Sequence, residues 1–169
     1  METNNLKKEL YELIKSDERI FDFIQESCLD GMWYRDLENP EEEWMNAKFW
    51  EVLGYNPGEM PHKTSAWKEV IHPEDLKIAT ESINKHFENS NIPYDQTIRY
   101  IHKNGSTIWI RCRFLAIRDK HGKPFRMLGV HQNITEFKKS ESKFQKSTEL
   151  LHNAQQVSKL GSWELDLKT

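Results

Sequence analysis

Three β-strands are written into residues 94–133, YDQTIRYIHKNGSTIWIRCRFLAIRDKHGKPFRMLGVHQN. Apolar and polar side chains alternate with period two, which places Gln96, Ile98 and Tyr100 on one face of the first strand. Ile110, Cys112 and Phe114 hold the matching face of the second. Asn104-Gly105 separates the two runs, and this dipeptide is the strongest short signal for a hairpin turn. A longer turn, Asp119-Lys120-His121-Gly122-Lys123-Pro124, leads into a last strand from Phe125 to Asn133. The pattern predicts a three-stranded antiparallel run whose six named residues share an inner face.

Upstream, Met32-Trp33-Tyr34-Arg35 and Glu43-Trp44-Met45-Asn46 flank the turn Glu38-Asn39-Pro40 and read as a second hairpin. Either Met32 and Tyr34 or Trp33 and Arg35 face inward; the pattern leaves both open. From Ala47 to about His86 the signals are helical but interrupted by Gly54-Tyr55-Asn56-Pro57-Gly58 and by Pro61, so several short helices are expected. One helix start is clear. In His72-Pro73-Glu74-Asp75, Pro73 suits the first helical position, and the two carboxylates meet the positive end of the helix dipole. That helix should run to about Glu88, before Asn89-Ser90-Asn91-Ile92-Pro93 stops it. The fold class is therefore α+β, a five-stranded antiparallel sheet with short helices inserted between strands two and three.

Helices are expected to flank this core. Leu6, Leu10, Leu13, Asp17, Ile20 and Ile24 step by four and three residues, predicting a helix from about 5 to 27 with an apolar seam. The seam either packs on its own domain or pairs, through its first half, with the same helix of a second subunit. After Thr135 the chain reads as a hydrophilic helix whose Phe137, Phe144 and Leu151 make a sparse heptad. Gly31-Met32-Trp33-Tyr34-Arg35-Asp36-Leu37 returns as Gly161-Ser162-Trp163-Glu164-Leu165-Asp166-Leu167, an internal repeat at an offset of 130 residues. The expected organisation is a connector helix at 1–16, one module at 17–135, a linker helix at 136–158 and the start of a second module at 159–169. Such a chain is expected to be a piece of a longer tandem protein.

Composition agrees with one domain plus a modest extra segment: 169 residues, 37% apolar and 30% charged, with mean hydropathy -0.82. Eight Phe, six Trp and five Tyr argue against disorder. A net charge of -3 without a basic block argues against a nucleic-acid partner. The longest apolar run, Phe114-Leu115-Ala116-Ile117, is too short to cross a membrane. Two cysteines, Cys28 and Cys112, make neither a disulfide framework nor a zinc cluster, which suits a reducing cytoplasm.

Taken in order, these pieces resemble the PAS domain with its C-terminal PAC half, over about residues 20–135. Trp44-Met45-Asn46-Ala47 followed by Gly54-Tyr55 is similar to the family's "vNpaf…lGY", and His72-Pro73-Glu74-Asp75 to its "HPeD". Lys103-Asn104-Gly105 with Trp109 resembles "kDG…W", and Gly129-Val130 followed by Asn133-Ile134-Thr135 resembles the "Gv..DIT" ending. Asn104 and Asn133 each stand where the family usually has Asp. The Trp-rich form looks most like the PAS class of bacterial sensor histidine kinases, with a non-sensing PAS scaffold in a diguanylate cyclase or another multi-PAS protein as the alternative.

The resemblance implies a cavity between sheet and short helices, and Met127, Gly129 and His131 facing it from the last strand. The ligand-pocket candidates are Gln96, Ile98, Tyr100, Ile110, Cys112, Phe114, Met127 and His131, with Gln96, Tyr100 and His131 as the polar groups able to orient a small molecule. The same residues would equally serve as plain core. Asn133, Ile134 and Thr135 are the signal-coupling candidates. Leu6, Leu10, Leu13, Phe137, Phe144 and Leu151 are the dimer and linker positions, implying a homodimer beside further PAS and kinase modules. No cofactor is assigned. Arg111-Cys112-Arg113-Phe114-Leu115 resembles the flavin-adduct motif of light-sensing relatives but lies on a strand, not on the helix that carries that motif. His86 occupies the long helix on which haem-binding relatives carry their ligand, without further support. No histidine pairing points to a metal. A small enzyme built on Cys112, His131 and a carboxylate lacks a nucleophile elbow, a phosphate loop and a helix N-terminus behind the thiol.

Overall fold

The apolar seam of residues 5–27 is carried by two helices, α1 (Asn5–Ser16) and α2 (Glu18–Cys28), and not by the single helix that heptad spacing predicts. The break is chemical. Asp17 has an extended backbone, and its carboxylate accepts the Arg19 N–H at 3.1 Å while pairing with the Arg19 guanidinium, so it caps a new helix. These helices belong to a computed structural model that describes residues 5–158. The repeat expected at Gly161–Leu167 lies outside the described residues.

After α2 come β1 (Gly31–Asp36), β2 (Glu43–Met45), the short helices α3 (Ala47–Glu51) and α4 (Thr64–Lys68), and the long helix α5 (Pro73–Glu88). Strands β3 (Tyr94–Ile101), β4 (Thr107–Arg118) and β5 (Pro124–Asn133) follow. The five strands form one antiparallel sheet in the order β2-β1-β5-β4-β3, with the helices between β2 and β3 as predicted. The β3–β4 turn is the expected hairpin. Gly105 adopts φ +85°, and the Asn104 side chain accepts the Ser106 N–H at 2.9 Å, a task Asp would also perform.

α5 begins as its sequence dictates, with Pro73 at the start and Glu74 and Asp75 in the first turn. The HPED segment then does more than start a helix. Asp75 accepts the Arg99 backbone N–H at 2.6 Å and a bidentate pair from its guanidinium, and the His72 N–H donates to the Arg99 carbonyl. This pins α5 to β3. Asp75, Ala79 and His86 are buried along the face of α5 that packs on the core.

Sheet and helices enclose a core led by Trp33, Met45, Phe49, Trp50, Ile98, Tyr100, Ile110 and Met127. The chain divides after Ile134: the described residues up to it form one compact unit, and helix α6 (Thr135–Ser158) belongs to a second. Within α6, Lys138–Glu141 and Lys139–Glu136 pairs line the surface, and Phe137, Phe144, Leu150 and Leu151 are exposed. Among the described residues no helix is long and apolar enough to cross a membrane.

Candidate functional site

The register of the sheet fixes its inner face. Trp33 lies opposite Gly129, which in turn lies opposite Phe114; Met127 pairs with Arg35 and Ala116; His131 pairs with Gly31 and Cys112. Trp33 and Arg35, and not Met32 and Tyr34, line the interior cavity. Gly129 is required by this arrangement, since a Cβ there would stand 2.0 Å from the Trp33 indole.

Six of the eight predicted pocket residues line the cavity: Ile98, Tyr100, Cys112, Phe114, Met127 and His131. Ile110 is fully buried and Gln96 half-buried, but neither lines it. Gln96 is therefore set aside as a ligand-orienting group: on β3, Tyr94, Ile98 and Tyr100 carry the wall, and Gln96, on the same alternation, is only half-buried. The lining also includes Glu43, Phe49, Trp67 and Tyr94, which the sequence patterns did not single out. Glu43 had a usable signal: in a strand whose Met45 is core, alternation sends Glu43 inward and Trp44 outward.

The polar groups of the cavity are mostly held by the protein. The Trp33 indole N–H donates to Nε2 of His131 at 3.2 Å, and the imidazole stacks 4.8 Å from Phe49. Burial holds the His131 pKa down to about 3, so the ring is a neutral acceptor at Nε2. Glu43 accepts from Thr64 Oγ1 and Trp67 Nε1, each at 2.8 Å; burial raises its carboxyl above the ordinary range, and these two hydrogen bonds and the Arg35 charge oppose the rise. Burial also raises the Tyr100 and Tyr94 hydroxyls. Arg35 Nε is buried without a partner.

Cys112 and His131 are cross-strand partners and both line the cavity, the placement the thiol-enzyme reading needs. Burial nevertheless pushes the Cys112 thiol up to about 12, which leaves no thiolate at neutral pH. The free space is about 30 Å³, room for a water and far below a haem or a flavin. His86 is buried outside the cavity lining, its Nδ1 2.5 Å from the Ile92 carbonyl oxygen and its ring edge-on to Phe114. His72, Glu74 and Asp75 converge as a metal-like cluster, but Arg99 already engages both carboxylates.

The coupling candidates sit where β5 ends. The Asn133 N–H donates to the Asp30 carboxylate at 2.7 Å, and the Ile134 N–H to the Trp109 carbonyl at 2.9 Å. The Asp30 N–H in turn donates to the His131 carbonyl at 3.2 Å. Asp30 thus joins the α2–β1 connection to the end of β5. With Asn133 in place of the family's Asp, a carboxylate still acts at this junction, supplied by Asp30.

Relatives agree with this architecture. The chain is 26% identical over 134 residues to the "Probable diguanylate cyclase DgcE" of Escherichia coli, covering 78% of this chain and only 12% of that protein. A sensory box histidine kinase/response regulator from Burkholderia thailandensis superposes with a TM-score of 0.65 at 25% identity, covering 80% of this chain and 98% of that structure. The N-terminal domain of a diguanylate cyclase with PAS/PAC sensor from Marinobacter aquaeolei gives a TM-score of 0.53 at 21% identity, covering 62% and 94%. The family described as the PAS fold matches residues 42–131, and the chain belongs to it.

Proposed function

We propose that this chain is a cytoplasmic sensory and dimerisation module of a multidomain signalling protein, passing the state of its cavity to a neighbouring module through α6. One observation carries the reading: Met127 and His131 line the cavity from β5, and that strand continues through Ile134 alone into α6. A displacement of the inner face would be delivered along one strand to the first turn of the helix, where Asn133, Ile134 and Thr135 act as the coupling residues. What is relayed is a conformational state, or occupancy by a ligand of a few atoms, since larger molecules would have to displace Trp33 or Phe49.

The output assigned to the parent protein is a sensor histidine kinase, supported by the Burkholderia structure. A diguanylate cyclase is the second reading, favoured by the E. coli relative. Self-association is assigned to α1, whose Leu6, Leu10 and Leu13 are all exposed along one seam. The absorption spectrum and native mass of the purified chain test this limit on the cavity: no visible absorption and the mass of the bare chain are expected, and a retained cofactor absorbing in the visible would refute it. Incubating the parent protein with ATP and with GTP separates the outputs, through phosphohistidine in one case and a cyclic dinucleotide in the other.

A further inference from the structure

Two tyrosines of β3 line the interior cavity, and the protein engages neither hydroxyl. Tyr94 and Tyr100 are each 4% exposed. Among the described residues no group hydrogen-bonds either hydroxyl, and neither is among the unpaired polar atoms that the fold seals from water. The Tyr100 hydroxyl is the deeper of the two. Burial raises it well above its ordinary range, and the charges of Cys112, Tyr94 and Glu43 add to the rise, so these side chains face a common interior. A buried hydroxyl that opens on free space is costly unless something in that space bonds to it.

The other polar groups around the cavity are largely taken. The Trp33 indole serves His131 and Cys112, and Glu43 is held by Thr64 and Trp67. Most of the remaining wall is apolar: Ala79 and Ile83 from α5, Ile98 from β3, Phe114 and Met127 from β4 and β5. The free space of about 30 Å³, at about 10–15 Å³ for a water, admits an occupant of about two non-hydrogen atoms. An ion is disfavoured by the same burial that keeps Tyr100 and Cys112 protonated. Water suits an apolar wall poorly, since a buried water makes about three hydrogen bonds. A short alcohol needs fewer, and its alkyl end covers the apolar side.

We propose that the cavity binds a neutral short-chain alcohol, its hydroxyl paired with Tyr100 and its alkyl end against the apolar wall. The assignment rests on the reading of the cavity as the sensing site and gives that site its ligand class. Methanol matches the free space; n-butanol would have to displace Trp33 or Phe49.

The test is an NMR titration of the chain, labelled with ¹⁵N and with ¹³C at the methionine methyls, using methanol and, as the oversized alcohol, n-butanol. Met127 lines the cavity and reports its occupancy; Met60, outside the lining, is the control. Methanol is expected to shift the Met127 methyl saturably, with Kd on the order of 10 mM for so small a ligand. At the same concentration n-butanol is expected to leave it in place. Tyr100→Phe, which keeps the ring, should weaken methanol binding about fivefold, as expected for one lost hydrogen bond. Ala79→Val, which fills the space, should abolish it. No saturable shift, equal responses to both alcohols, or undiminished affinity in Tyr100→Phe overturns the proposal; if that variant loses its native spectrum, undiminished affinity in Ala79→Val does so. A failed relay reads differently: methanol shifts Met127 while the Ile134 and Thr135 amides stay in place, which refutes the passage to α6 and upholds the ligand.

Discussion

Gly129→Ala should destabilise the domain far more than a one-carbon change on a strand ordinarily does. The added Cβ would lie 2.0, 2.1 and 2.6 Å from Cε2, Cζ2 and Nε1 of Trp33, so the indole must move. Overpacking of this kind costs about 1–3 kcal/mol. Displacing the indole also breaks its hydrogen bond to His131, worth about 0.5–1.5 kcal/mol net. The loss expected from urea unfolding, read as a lower midpoint at unchanged slope, is about 2–4 kcal/mol. Trp33→Leu removes all three clashing atoms, so the same Gly129→Ala change in that background should cost less than about 1 kcal/mol. The reasoning fails if Gly129→Ala costs under about 1 kcal/mol alone, or costs the same in both backgrounds.

Other consequences follow from individual groups. Burial raises the Glu43 carboxyl, so the folded state holds a proton that the unfolded chain releases near 4.5; this contribution to stability therefore declines as pH rises from there through the folded value. Glu43→Gln keeps an acceptor for Thr64 and Trp67, so its stability relative to the parent should climb over that window in equilibrium unfolding, and parallel pH curves would contradict it. Arg99 holds the Asp75 carboxyl below its ordinary range, a contribution complete above 3.8 and lost as pH falls through the lower folded value. Asp75→Ala should cost about 2–3 kcal/mol at neutral pH by calorimetry, through loss of charge-assisted hydrogen bonds. Asp30→Ala should speed amide hydrogen exchange at Asn133 by about tenfold or more, as expected for losing a hydrogen bond to a carboxylate. Leu10→Glu on α1 should shift sedimentation toward the monomer if the α1 seam joins two copies.

Much of the sheet was legible because its signals are local. Period-two alternation and Asn104-Gly105 define β3 and β4 without reference to the rest of the chain, and Pro73 with two following acids defines the start of α5. The helix break at Asp17 was hidden because a polar residue on a heptad seam looks like a tolerated interruption; only its capping bond to Arg19 reveals a new helix. The inward face of β1 was undecided because Met32-Trp33-Tyr34-Arg35 supplies large side chains to both sides, and the choice depends on Gly129 lying opposite Trp33. Glu43 escaped notice because a carboxylate on a short strand looks solvated until Thr64 and Trp67 arrive from α4. The unpaired side-chain atoms of Gln25 and Asn46 could not be read at all, since they exist only once the tertiary partners of those residues are known.

The central claim concerns the passage from β5 into α6, and the intact parent protein tests it most directly. Asn133 and Thr135 are replaced singly, and signalling output is measured in each variant under conditions that give the parent both low and high activity. A relay through this junction predicts that at least one substitution locks or shifts the output while the protein remains folded. Unchanged signalling in both variants would contradict the account.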